Sequence, residues 1–437
     1  MKKMRLILFM AMLLGLINLY AEEPKKESSV TVYGFVRNEM YFDSYKGINS
    51  ASDLFYLVPN YDGKVDANGK AINEQLSYNL SAMATRFGLK IAGPEILGAK
   101  TTANIEGDFA GNLTDNTALF RVRQANCVLN WGKTSLLVGQ TWHPYWGGKV
   151  YPTSAGLNTG APFQPFNRSP QIRLDYKTGN LTLTGALISE FQYKSVAANP
   201  DKPAESLKTD QFARNSAIPE IYAGTEFNKG GLTIGLGASY KAIKPSLTMD
   251  MDDTLGIKRT YNCNTLLHSF VGFGYVQYSQ GKFLIRAKSV LGQNTSYLTM
   301  PGGFAISSRN KNGVPSVEYT NYNNTTTFVN ALYGTKWQAG LFLGYQKNLG
   351  TTKAVLNEQS VYGLLPKIVY GLLPQIQSMS RIAPSISLNV SKLRVIAEYE
   401  KTIAEFGTGG FRTSDGLYDQ TVSATNHRVI VTMTYFF

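Results

Sequence analysis

Arg86, Arg121 and Arg123 are the residues of this chain with the clearest chemical use. Guanidinium groups keep their charge and present a planar fork of donors, so a set of them on neighbouring elements suits small anions, carboxylates above all. Arg37, Lys90 and Arg173 extend the basic set, and Glu106 and Asp108 are the acids that stand among it. Bond-making chemistry has less to work with. His143, His268 and His427 are the only histidines, Gly-x-Ser-x-Gly is absent, and no Cys/His group has metal-ligand spacing. Asp250, Asp252 and Asp253 cluster, but read as a solvated acidic loop before a Ca²⁺ or Mg²⁺ site. In the stretch 62–74, Lys64 and Lys70 fall where a calcium loop needs oxygen ligands. Neither a metal nor a cofactor is expected.

The elements that carry these side chains are strands, because apolar and polar residues alternate with period two. Ile172, Leu174 and Tyr176 share one face, opposite Gln171, Arg173, Asp175 and Lys177. Leu232, Ile234, Leu236, Ala238 and Tyr240 oppose Thr233, Ser239 and Lys241, and Trp337, Ala339, Leu341, Leu343 and Tyr345 oppose Gln338 and Gln346. At the end of the sequence, Val429, Val431, Met433, Tyr435 and Phe437 alternate with residues that include Arg428, Thr432 and Thr434. Carried through the chain, this parity puts Arg37, Arg86, Lys90, Arg121, Arg123, Arg173, Lys241, Arg286, Lys288, Arg381, Arg394 and Arg428 on the polar face. Fewer acids join them, among them Glu39, Glu106, Asp108, Asp175, Glu190, Glu226, Glu398 and Glu400.

At the other end, Lys2, Lys3 and Arg5 precede an apolar run from Leu6 to Leu16 and a small residue, Ala21. That pattern is a secretory signal, residues 1–21, followed by a short segment, 22–29, on the periplasmic side and one domain, 30–437. No later run reaches the length of a membrane-spanning helix, so an exported chain that crosses a membrane must do so as a closed barrel. Tyr 26 and Phe 22 are high counts for a chain with 17% charged residues, as expected of aromatic girdles. The formal charge is +13, of which the signal supplies three, leaving +10. An excess of that sign favours anionic lipid or an anionic solute; without a stacking motif or basic helix, nucleic acid is not indicated. Cys127 and Cys263 fall on separate strands and are expected to stay unpaired.

About sixteen strands can be counted, joined alternately by tight turns such as 228–231 and 279–282 and by long excursions such as 44–74, 143–169 and 294–324. The strand at 325–333 is the weakest. This is the layout of an outer-membrane β-barrel, with its polar face lining a water-filled lumen. Loop 143–169 stands apart: four prolines, four glycines, the aromatics Tyr145, Trp146, Tyr151, Phe163 and Phe166, and only Lys149 and Arg168 as charges. It is expected to fold inward and narrow the lumen, with Lys149 and Arg168 facing Arg86, Arg121 and Arg123. Small hydrophilic solutes, anions by preference, would then diffuse through. A tandem octapeptide at 361–376, VYGLLPKI then VYGLLPQI, reads as a local duplication. Two other readings stay open: a barrel hydrolase with Ser/His or Asp/His pairs across strands, and an adhesin or structural barrel displaying its loops.

The segments Val32–Arg37, Thr85–Lys90, Ile105–Phe109, Arg121–Ala125, Leu137–Trp142 and Asn167–Gln171 resemble, in order and spacing, the DcaP-like porins of the Gram-negative trimeric porin superfamily. The likeness runs from about Val30 to Tyr176 and is architectural beyond. It implies a homotrimer in outer-membrane lipid and lipopolysaccharide, uptake of carboxylates or dicarboxylates, and pore-wall roles for Arg37, Arg86, Arg121, Arg123 and Arg173. It implies engagement of the barrel assembly machinery through Phe437. DcaP-type chains carry a coiled-coil extension before the barrel that the segment 22–29 does not provide, so trimer contacts would rest on the barrel wall.

Overall fold

The computed structural model describes residues 28–50, 55–111, 119–202, 205–252, 257–311, 314–356 and 368–437. The expected signal 1–21, most of the segment 22–29, Asp253 and residues 361–367 of the first octapeptide copy lie outside them.

Sixteen antiparallel strands close into one barrel. In chain order they are β1 Ser29–Asp43, β2 in two pieces Ser77–Ser81 and Arg86–Ile96, β3 Ala99–Asp108, β4 Arg121–Asn130 and β5 Thr134–Trp142. Then come β6 Arg168–Thr178, β7 Leu181–Ile188, β8 Glu220–Lys229, β9 Leu232–Ile243, β10 Leu267–Gln280 and β11 Phe283–Gln293. The last five are β12 Val314–Gly334, β13 Trp337–Thr351, β14 Ile376–Val390, β15 Leu393–Phe411 and β16 Tyr418–Phe436. Each pairs with its neighbour in sequence, and β16 returns to β1 from Phe35↔Phe436 to Asp43↔Arg428, so no edge is left unpaired.

Turn chemistry sets the registers. Gly230 and Gly231 both have positive φ, +58° and +85°, in the two-residue joint between β8 and β9, and a side chain at either position would be strained. At the opposite end the connections are long. Strands β12 to β16 run 15 to 21 residues there, beyond what a bilayer needs, and stand above the barrel rim. The weak strand expected at 325–333 is thus the lower half of β12, whose upper half pairs with the hairpin strand Gly302–Lys311. The connection between β15 and β16 is short, because the two strands stay paired out to Phe411↔Tyr418.

The two faces separate as the alternation requires. Leu174, Leu236 and Tyr435 are half exposed on the outside, whereas Arg123, Lys288, Arg381 and Arg428 are buried on the inside. Trp131, Tyr176, Tyr278, Tyr333 and Trp337 ring the short-turn end, while Phe42, Tyr78, Phe270 and Tyr399 lie towards the other. An apolar band of this height between two aromatic rings is stable against hydrocarbon, not water. Cys127 lies on the outer face and Cys263 is buried in a long loop, both free.

The hydrophobic core of the molecule is inside the barrel. Phe55, Leu57 and Val58 from the first loop pack with Trp146, Phe163 and Phe166 from loop 143–167 against Phe328, Phe342 and Phe406 of the wall. The first loop therefore lies in the lumen beside loop 143–167, where the sequence suggested only the latter.

Candidate functional site: the loop-crossed lumen

Loop 143–167 leaves β5 at its upper end and is held at almost every turn. His143 Nδ1 accepts from the Tyr145 amide at 3.3 Å, and its Nε2 lies 3.3 Å from a Glu220 carboxylate oxygen. The Tyr145 hydroxyl donates to the Val271 carbonyl at 2.7 Å and lies 2.8 Å from Ser239 Oγ. Burial pushes that phenol well up from its ordinary pKa, so it stays a donor. Lys288 Nζ donates to the carbonyls of Trp146, at 2.7 Å, and Tyr145, at 3.2 Å, capping the short 3-10 turn Pro144–Trp146. Further along, Thr153 donates its amide to Asn330 Oδ1 at 3.0 Å and Ala155 donates to Glu398 at 3.1 Å. Arg37 donates to the Ala155 carbonyl. Arg381 donates to the carbonyls of Ala161, at 3.1 Å, and Leu57, at 2.7 Å, tying both lumen loops to β14.

Packing explains why the loop can lie there. Phe163 fits over Gly344, where a Cβ would come within 2.5 Å of its ring. At the loop's end, Phe166 and Asn167 bond the carbonyls of Leu298 and Tyr297, each at 2.8 Å, in the buried turn Thr295–Leu298. Residues 55–59 and 295–306 are internal, not part of the outer excursions expected there. A run of four apolar residues, Phe55-Tyr56-Leu57-Val58, was the available signal for the first.

The early-strand arginines meet at one place with their acids. Arg121 takes both oxygens of Asp108, at 2.6 and 3.2 Å. Arg123, 1% exposed, bridges Glu106 at 2.8 Å and Asp108 at 2.9 Å. Arg86 lies 3.7 Å from Glu106 and over the Phe35 ring at 4.8 Å. Arg168, at the loop's end, joins them through Trp142: its guanidinium is 4.9 Å from that ring and Arg123 is 5.6 Å away on it. Arg168 also donates to Tyr193 and Gln192. Four guanidinium groups therefore face two carboxylates. Arg86 Nε and Arg168 Nη1 are shut from solvent without a hydrogen-bond partner.

Other expected residues are placed elsewhere. Lys149 does not meet this cluster; it lines a wide vestibule of about 690 Å³ beneath the loop, with Arg173, Asp175, Lys177 and Glu226. The reason is the turn: after Gly147, which has φ +72°, Gly148 comes beside the Glu226 carboxylate of β8 and carries Lys149 to that side. Arg173 is paired with Asp175 at 3.1 Å. Lys90 sits over Tyr33 at 5.1 Å. Arg37 is paired with Glu39 at 2.9 Å. Tyr151 stands on the loop beside Arg286, which donates to Thr153 Oγ1 at 3.2 Å. His268 and His427 lie on the outer face, each 2.7 Å from a tyrosine hydroxyl, Tyr240 and Tyr399 respectively. Asp250 accepts from Thr260 within its own hairpin at 2.7 Å.

The sequence matches no family model and no curated protein. Among solved structures the chain is similar to the outer membrane channel DcaP of Acinetobacter baumannii, with TM-score 0.65 and 17% identity over 96% of this chain and 100% of that one. It is similar also to an anion-selective porin from Comamonas acidovorans, with TM-score 0.53 and 12% identity over 94% and 100%. A trimer form of the Vibrio cholerae outer membrane protein OmpT gives TM-score 0.51 and 11% identity over 94% and 100%. The fold is that of the outer-membrane porin barrels.

Proposed function

We propose that this protein is an outer-membrane porin through which small hydrophilic solutes diffuse, anions by preference. The observation that carries this reading is the loop 143–167, pinned across the inside of a closed barrel whose inner face is polar and whose outer face is apolar. Such an object offers a narrow aqueous path and no moving part. Solutes need only a potential that favours them at the narrowest level and sites weak enough to leave.

Several observations support the sign. Arg86, Arg121, Arg123 and Arg168 outnumber Glu106 and Asp108, and the surplus lies where the loop end approaches the wall. A low-dielectric wall raises the effect of that surplus on a passing carboxylate. Lys149, Arg173 and Lys177 in the vestibule below extend positive potential towards the short-turn end. One neighbouring structure is of an anion-selective porin and another of a trimer. By the same logic the short turns face the periplasm, and three copies assemble through their outer walls.

Liposome swelling tests the reading. Vesicles carrying the protein should admit small sugars and small carboxylates faster than protein-free vesicles and exclude large oligosaccharides. Equal rates with and without protein would refute it.

A further inference from the structure

Most basic groups on the inner wall are paired with acids. Arg37 meets Glu39, Arg381 meets Glu400, Arg428 meets Asp43, and Lys241 meets Glu190. Among the described residues, Arg286 and Arg394 have no carboxylate within ion-pair reach. Arg286 is satisfied by neutral acceptors only, Gln277 Oε1 at 2.8 Å and Thr153 Oγ1 at 3.2 Å. Arg394 reaches Gln338 Oε1 at 3.4 Å, and its Nε is shut from solvent with no hydrogen-bond partner.

These two groups come from distant strands, β11 and β15, yet converge on one side chain. The Arg286 guanidinium lies 5.8 Å from the Tyr151 ring, and Tyr151 stands within electrostatic reach of Arg394 as well. Arg286 also stands within reach of Arg394's charge, and Arg394 within reach of Arg37's. Arg37 stands in the same cross-strand row as Arg394, since both register opposite Thr434. Two strands apart, their backbones are about 10 Å from each other. Tyr151 is 37% exposed, so this corner opens to the lumen.

Two half-buried cations held round one phenol repel each other, and only neutral acceptors and the phenol ring stand against that cost. We propose that Arg286 and Arg394, with the Tyr151 hydroxyl as a third donor, form a binding subsite for a small oxyanion. The proposal rests on the channel reading above and deepens it. Planar guanidinium forks match the paired oxygens of a carboxylate or phosphate, which chloride cannot reproduce. The early-strand cluster carries two acids of its own; this corner carries none in contact and has the freer donors. An oxyanion would rest here between the vestibule and the loop.

Single-channel currents in potassium chloride test this, with succinate and inorganic phosphate as probes. Either probe should reduce chloride conductance of the wild type saturably. Arg286→Gln and Arg394→Gln should each raise the half-blocking concentration about tenfold, the loss expected of one charge-assisted contact. Tyr151→Phe should raise it about threefold. Arg412→Gln, on the outer loops, should leave it unchanged. Heat-modifiable migration on gels establishes that each variant is folded. Block that is unaltered in both arginine variants, or absent from a conducting anion-selective wild type, overturns the subsite alone. A wild type that does not conduct, or prefers cations, overturns the channel reading and the subsite with it.

Discussion

Arg123 shows how burial decides what an arginine does. It is enclosed with Glu106 and Asp108, so replacing it by Gln leaves buried Glu106 with Arg86 at 3.7 Å as its ion partner, while Asp108 keeps Arg121. Breaking a buried pair of this kind costs about 3–5 kcal/mol. Arg123→Gln should therefore lower the temperature at which the barrel changes gel mobility and also move the reversal potential towards cations. A shift in selectivity with no loss of stability would mean the pair is more solvated than the geometry indicates. Lys288 makes the contrasting case, because its contacts are loop carbonyls and no carboxylate. Lys288→Met removes the cap on the 3-10 turn, so open-channel current noise should rise, and Lys288→Arg should restore a quiet channel. Parity along the strands was enough to assign both residues to the inner face. Their partners were not legible, since a two-residue period says which way a side chain points but not what crosses the lumen to meet it.

At the scale of elements, the strands were the readable part and the loops were not. Alternation, tight turns and the C-terminal pattern gave the closed antiparallel barrel, with β12 longer than its apolar signal because its upper half sits outside the bilayer zone. Loop 143–167 was recognisable from its prolines, aromatics and lack of acids. Residues 44–59 looked like any outer excursion, yet Phe55 to Val58 are buried inside and Leu57 is bonded to Arg381. Lys149 was misplaced because a loop's path depends on contacts at both ends, not on local composition. These placements predict a protease pattern. On intact cells, cleavage should fall in the exposed stretch 62–76 and spare 55–59 and 295–306. Cutting within 55–59 would show that this part of the first loop is outside the barrel.

As a whole molecule, the protein is a closed barrel with charge arranged inside it, and the proposed assembly and selectivity draw on different surfaces. The outer wall is apolar, which suits contact with lipid or with further copies. The expected outcome in mild detergent is an SDS-resistant oligomer that collapses to a monomer on heating; a monomer at every concentration would contradict trimerisation. The proposed function rests on the inner wall. The most direct measurement is the reversal potential across a planar bilayer separating two potassium chloride concentrations. Basic surplus at the loop-crossed level predicts a stepwise conductance whose reversal potential has the sign of chloride preference and moves towards zero as salt screens the wall. A reversal potential of cation sign at low salt, or no steps at all, would contradict the account.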